Sequence, residues 1–383
     1  MKQLVTQFCC KILPIVNNDA LNSLLIAFSK TAFWFRFAGV IRSLLFYSIS
    51  LMRIKLDKFV LAIIIIICIA YFFPQWGLES SPVPLDLIST LGIALIFFFY
   101  GLKLSPQKLK AGLRNYKLHI LVQASTFLLF PLLVLLFKPL VQNQEQETIW
   151  LAFFFLAALP STVSSSVVMV SIAKGNIPAA IFNASISGII GIAITPLWMG
   201  LFVTEIASDF DFSSIYSKLF LQILVPVILG VLLQKYWGDL VRKHSSKLTL
   251  FDKSIILLII YKSFAESFAD ALFTRVTILD LLVLFVGVLT VFLIVFFTTG
   301  LISKLLSFNM EDRITAQFCG TKKSLVHGTV FSKILFGNMA GLGLILLPLM
   351  LFHASQIMII SAIASRFARK VSEEQADQLT TET

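Results

Sequence analysis

Two short runs in this chain place polar chemistry inside strongly apolar surroundings. The first reads Leu159-Pro160-Ser161-Thr162-Val163-Ser164-Ser165-Ser166. Proline removes a backbone donor and disturbs the preceding turn. Hydroxyls at five of the six positions 161–166 then offer replacement hydrogen bonds and a polar lining. The second run reads Cys319-Gly320-Thr321-Lys322-Lys323-Ser324, between the apolar segments 314–318 and 325–335. A lysine within the membrane costs about 3 kcal/mol on insertion scales. Lys322 and Lys323 must therefore meet water, a counter-charge or carbonyl oxygens. Such groups suit the capture of an ion or a small charged solute. The bond-making sets are missing from the sequence: there is no GxSxG, no HExxH and no pair of catalytic carboxylates. The expectation is a protein that is not an enzyme and carries no cofactor. His119, His244, His327 and His353 are far apart, and Cys9, Cys10, Cys68 and Cys319 have no metal-site or disulfide spacing.

Other polar residues stand inside apolar runs. Asn183 and Ser187 are four apart, beside a small-residue stripe of Ala180, Ala184 and Gly188 that suits close helix packing. They face either a neighbouring helix or a ligand shared with Ser164, Ser165 and Ser166. Lys262 and Glu266 are also four apart and can neutralise each other. Glu266 could instead partner Lys322 or carry a proton. His327 fits a packed histidine or a relay, and Lys333 can snorkel toward an interface.

The elements that must position these residues are membrane helices. Of 383 residues, 58% are hydrophobic and 13% charged, with 37 phenylalanines. Soluble domains average about 45–50% apolar and about 25% charged residues. Ten apolar runs suit spans of about 20 residues: 59–74, 85–102, 118–137, 149–172, 177–203, 214–235, 252–272, 278–303, 313–336 and 340–365. Period-two alternation, which a barrel would need, is missing. The net charge of +11 is gathered in loops 103–117 and 235–253 and after residue 365, whereas the intervening loops are acidic or neutral. This places both termini in the cytoplasm, at the plasma membrane. Basic residues do not interleave with aromatics as in a nucleic-acid groove, so the expected partners are the lipid bilayer and a small solute.

Ten spans divide into 52–203 and 204–370, each with five, an odd number that inverts the second half relative to the first. Inverted repeats with broken helices near the midplane mark secondary transporters. The predicted fold is an all-α polytopic membrane protein of two inverted five-helix repeats, with broken, crossing fourth and ninth helices. The tail 371–383 is acidic and expected to be disordered. Within residues 1–51, the stretch 20–50 is apolar but carries Lys30, Arg36 and Arg42. They suit an interfacial helix or an upstream extension with translation starting at Met52; a signal peptide would need a cleavage site that is missing.

The runs PSTVSSSVVMVSIAKGNIPAAIFNASISG within 159–196 and CGTKKSL within 318–333 resemble the bile acid:sodium symporter superfamily, most closely the branch related to the seventh member of solute-carrier family 10. The span pattern matches from about 52 to 370. The resemblance implies a panel part and a core part with the broken helices crossing in the core. It implies a sodium near Ser165 and Ser166, with Asn183 and Ser187 nearby. At the second sodium site of the superfamily, Phe318 stands at the acidic position, Lys322 at the glutamine of the ninth helix, and Thr126 on the third span, with Gln123 one turn away. A phenyl ring cannot coordinate sodium and an ammonium repels it. The expectation is that Lys322 or Lys323 places its ammonium where a cation would sit, or that the lysines bind an anionic head group. The resemblance thus implies movement of a small organic anion by alternating access with altered or absent sodium coupling. It also leaves open a regulator of ion (calcium) homeostasis with little transport of its own.

Overall fold

A computed structural model of the chain describes residues 58–78, 80–104, 115–162, 164–203, 217–271, 273, 276–336 and 341–381. The expectations for residues 1–51 lie outside them. In chain order the helices are α1 Lys58–Phe72, α2 Leu85–Lys103, α3 Tyr116–Ala124, α4 Phe130–Leu135, α5 Gln144–Ala158, α6 Ser164–Ile172, α7 Ile177–Val203, α8 Val225–Lys243, α9 Ser245–Ala269, α10 Ile278–Leu305, α11 Met310–Gly320, α12 Leu325–Phe336 and α13 Leu342–Thr381. No strand occurs among the described residues. Among the described residues six helical stretches are long and apolar enough to cross a membrane: Leu85–Lys103, Tyr116–Leu140, Ile177–Phe202, Ser217–Lys243, Ile278–Leu305 and Leu342–Ala368. Lys58–Phe72 and Gln146–Ala158 are shorter apolar helices. The chain is a multi-pass, all-helical membrane protein.

Local signals set the helix starts. Asn143, Asn309 and Asn115 cap α5, α11 and α3 through their side chains, and Thr277 with Asp280 makes a capping box at α10. Asn176 caps α7 by accepting from the Ala179 N–H at 3.1 Å, after a turn in which Lys174 takes a positive φ of 57°.

Two expectations need correction. The basic segment 235–253 is helical nearly throughout, because α8 runs on to Lys243 and α9 starts at Ser245. The tail is helical as far as Thr381. Glu, Gln, Ala, Lys and Leu in 370–379 are good helix formers, so α13 outlasts its apolar stretch.

Proline shapes the third span. Before Pro131 the helix widens to a π-turn at Ser125–Leu129, in which the Phe130 N–H reaches back to the Ser125 carbonyl. The next bond in that register would need an N–H at position 131, which proline lacks. The carbonyls of Thr126 and Phe127 are therefore left open to other partners. Trp198 of α7 takes the second, donating Nε1–H to Phe127 O at 2.9 Å. A second π-turn, Phe220–Leu224, precedes Pro226.

Helices α2 and α8 pack along one another through glycines that allow backbone contact. A Cβ on Gly101 would stand 2.2 Å from Val227 O, and one on Gly230 2.2 Å from Phe98 O. Those neighbours are backbone and cannot turn aside. Gly101→Ala should therefore cost about 1–3 kcal/mol, the usual range for overpacking, read as a lower unfolding midpoint of the purified protein; Gly287→Ala, which meets only the Phe153 ring at 3.0 Å, should cost less.

Candidate functional site at two helix breaks

Helix α5 stops at Ala158 and α6 resumes at Ser164; α11 stops at Gly320 and α12 resumes at Leu325. The two gaps touch. The Ser324 N–H donates to Pro160 O at 2.9 Å, and Ser161 Oγ donates to Cys319 O at 2.7 Å. The Ser161 N–H in turn donates to Ser187 Oγ of α7 at 2.9 Å.

A helix end leaves carbonyls without intrahelical donors, and hydrocarbon supplies none. At the end of α5 the Leu156 carbonyl accepts from the Leu159 N–H at 3.3 Å, and those from Ala157 to Pro160 are taken by other elements. Lys323 Nζ donates to Ala157 O at 2.6 Å, to Leu159 O at 2.8 Å and to Thr126 O at 2.8 Å. Its three N–H groups are thereby all used, the third by the carbonyl that the π-turn and Pro131 leave open. The ammonium also stands 4.2 Å from the centre of the Phe130 ring, within cation–π range. Thr195 Oγ1 of α7 donates to Ala158 O at 2.8 Å. Gln356 of α13 clips the backbone of Lys323 itself, accepting from its N–H at 2.9 Å and donating to its carbonyl at 2.9 Å.

Lys322 is placed differently. It is also fully buried, yet among the described residues its ammonium has one acceptor, Ser165 O at 2.7 Å. It lies at the start of α6, where the helix dipole is positive. The hydroxyls there bond among themselves: Thr162 Oγ1 pairs with Ser165 Oγ at 2.7 Å and with Ser166 Oγ at 2.9 Å.

The remaining expected residues divide. Ser187 reaches the break, as above. Asn183 turns elsewhere: its Nδ2 meets His119 Nδ1 at 2.9 Å and donates to Ala179 O at 2.9 Å, and its Oδ1 accepts from Gln123 Nε2 at 3.2 Å. Gln123 and Asn183 are thus brought together, and Gln123 Oε1 is buried without a partner. Thr126 contributes its carbonyl to Lys323, while its hydroxyl donates to Val122 O at 2.9 Å. Phe318 packs near Phe296 and Phe367, at 6.5 and 6.1 Å between ring centres. Glu266 pairs with Lys262 at 3.1 Å, while Lys322 bonds Ser165 O. The side chain of Ser164 lies outside the description. Among the described residues no group of three or more His, Cys, Asp or Glu side chains could hold a metal. Pro131, Thr195, Trp198 and Gln356 act at the site without having been singled out. Of these, Pro131 alone carried a readable signal, a proline within an apolar span.

With this geometry in view, comparison with known proteins is decisive. Residues 57–369 match the SBF-like CPA transporter family. The chain belongs to that family. Among its relatives, the putative symporter YfeH of Escherichia coli (strain K12) is 36% identical over 323 residues, covering 84% of this chain and 96% of the relative. Sodium/bile acid cotransporter 7 of Rattus norvegicus is 31% identical over 317 residues, 81% of this chain and 92% of the relative. An uncharacterised Pseudomonas aeruginosa protein is 38% identical over 320 residues, 84% and 95%. The resemblance read from the two polar runs is borne out.

For this SBF-like protein the Gln356 clip offers a direct test of the crossing. Gln356→Ala removes both partners of the Lys323 backbone and leaves a buried N–H and a buried carbonyl unsatisfied. At about 1–3 kcal/mol per orphaned group, the two together should lower stability by about 2–6 kcal/mol. Ser365→Ala, on the same helix but exposed, should change the unfolding midpoint little.

Proposed function

We propose that this SBF-like protein is a secondary transporter that moves a small organic anion by alternating access and needs no sodium in its crossing. Its apolar segments traverse the plasma membrane as two inverted sets of five, the fourth and ninth broken, with both termini cytoplasmic. The positive-inside pattern and the matched position of the breaks support that topology. The names of its relatives, a putative symporter and a sodium/bile acid cotransporter, support transport as the activity. Bile acid belongs to the name of one relative and is only one member of the cargo class considered.

One observation carries this reading: two adjacent buried lysines with opposite settings. Lys323 fills a cage of three carbonyls at 2.6–2.8 Å, so a cation's place at the crossing has a tethered occupant. Lys322 sits at the positive start of α6 with one carbonyl acceptor. A buried ammonium beside a positive helix end is poorly compensated. A carboxylate, sulfonate or phosphate brought there would complete its hydrogen bonds, and the hydroxyls of Thr162, Ser165 and Ser166 could turn toward the same anion. Charge-assisted bonds of this kind are worth about 1.5–3 kcal/mol.

The test is uptake by proteoliposomes of the purified chain, using a panel of labelled organic anions that includes taurocholate. Uptake should be equal in sodium and in N-methylglucamine buffers. Lys322→Gln should weaken apparent affinity about ten- to a hundredfold, the factor that matches those bonds. Lys323→Met should unfold the crossing more than it alters affinity. A strict requirement for two sodium ions would overturn the tethered-cation reading, and a failure to move any anion of the panel, with the protein folded, would overturn transport.

A further inference from the structure

Helices α2 and α12 run antiparallel along a seam fastened at two levels. At one level Lys333 of α12 lies 3.2 Å from the Asp86 carboxylate and donates to the Asp86 carbonyl at 3.3 Å and to Ser89 Oγ. Lys262 of α9 takes the other oxygen of Asp86 at 2.5 Å and holds Glu266 at 3.1 Å. Two carboxylates and two ammonium groups from three helices thus make a neutral cluster. Both lysines are largely withdrawn from solvent, at 16% and 19% side-chain exposure, whereas the shared Asp86 carboxylate is 53% exposed, so the cluster stands at the wet edge of the seam. Helix α9 packs on α1 and α2 and also on α12 and α13, so the Lys333 bonds add a direct tie between α2 and α12 beside the packing through α9.

At the second level the seam is closed by rings. His327 of α12 lies 5.5 Å from Phe97 and 6.1 Å from Tyr100 of α2, centre to centre. Its Nδ1 is paired with Ser324 Oγ at 2.9 Å, which roots it in the break. Its Nε2 is buried and has no hydrogen-bond partner among the described residues. Gly188 of α7 leaves so little room that a Cβ would stand 2.8 Å from the Tyr100 hydroxyl oxygen and 3.0 Å from His327 Nε2. A buried, unpaired ring nitrogen disfavours the closed seam, since water or a solute would satisfy it once the helices part. Something must hold the seam shut against that tendency.

We propose that Asp86 and Lys333, backed by Lys262 and Glu266, form a latch that holds α2 against α12, and that its release opens the seam as far as His327. The proposal rests on the transport reading, in which such a seam must open and close. Loss of Lys333 would remove every polar contact across the first level, while loss of Lys262 would leave the Asp86–Lys333 pair in place.

The test uses the full chain in proteoliposomes, with Cys9, Cys10, Cys68 and Cys319 replaced by serine and a single reporter, His327→Cys. The readout is its alkylation rate with a membrane-impermeant maleimide. Lys333→Met and Asp86→Asn should each speed labelling by about tenfold or more, and Lys262→Met by less than about threefold. A second reporter, Ala157→Cys, buried behind the crossing, should stay unlabelled in every variant. Equal labelling of His327→Cys with and without Lys333 would overturn the latch. So would a parallel rise at Ala157→Cys, because that is general loosening. Should His327→Cys not fold, Tyr100→Cys reports the same seam under the same criteria. Release of the latch in a protein that takes up no anion would refute transport and leave the latch standing; uptake with no change in labelling would do the reverse.

Discussion

A helix that stops inside hydrocarbon exposes carbonyls that no solvent can serve, and the centre of this SBF-like protein is arranged around that constraint. The last two carbonyls of α5 and those of the first two residues of the gap, from Ala157 to Pro160, find donors in Lys323, Thr195, Lys323 and the Ser324 N–H in turn. These come from α7 and from the other break. Neither break is therefore stable alone. Each requires the other at hydrogen-bond distance, and α13 then secures the arrangement by clipping the Lys323 backbone through Gln356. The crossing is held by side chains and backbone bonds of the chain itself, with an ammonium in the middle.

How far this could be read beforehand depended on the range of the interaction. The apolar runs, the two interruptions and the stranded lysines are local features of composition and spacing, and the structure contains the breaks where proline and the glycine–threonine–lysine run stand. The partners were less legible. That Thr126 offers a carbonyl follows from a π-turn joined to a proline five residues on, and period alone does not reveal a widened register. Thr195 and Trp198 look like ordinary members of an apolar helix, and what they do depends on which neighbour has an open carbonyl. Asn183 is a residue whose spacing left two readings open. Its spacing from Ser187 suggested one shared face toward the serines, but four residues turn a helix by slightly more than one full circle, and α3 supplies His119 and Gln123 closer at hand.

The charges within the membrane segments fall into two kinds. Lys262, Glu266 and Lys333 lie near helix ends and neutralise one another through Asp86. Lys322 and Lys323 are fully buried and meet no carboxylate within ion-pair distance among the described residues. Peptide dipoles replace counter-ions for the second kind, and they do so unequally. The end of α5 is the negative pole of its dipole and the start of α6 the positive pole, so an ammonium gains from the first and loses from the second.

The chain directs adjacent residues to these opposite poles because Thr321–Ser324 is not helical. In a helix, neighbouring side chains diverge by about 100°; in extended backbone they point to opposite faces. The segment between α11 and α12 sends Lys323 toward the carbonyls of α5 and Lys322 toward the start of α6. The break in one helix thus supplies both the bolt for the other break and a buried ammonium with a single acceptor among the described residues. Any solute that satisfies Lys322 must then sit where the two halves of α5–α6 part. Its charge would be felt at once by the crossing and by the seam that begins at Ser324 and His327. Binding and opening would share one short piece of backbone, which gives a direct physical route from occupancy to conformational change.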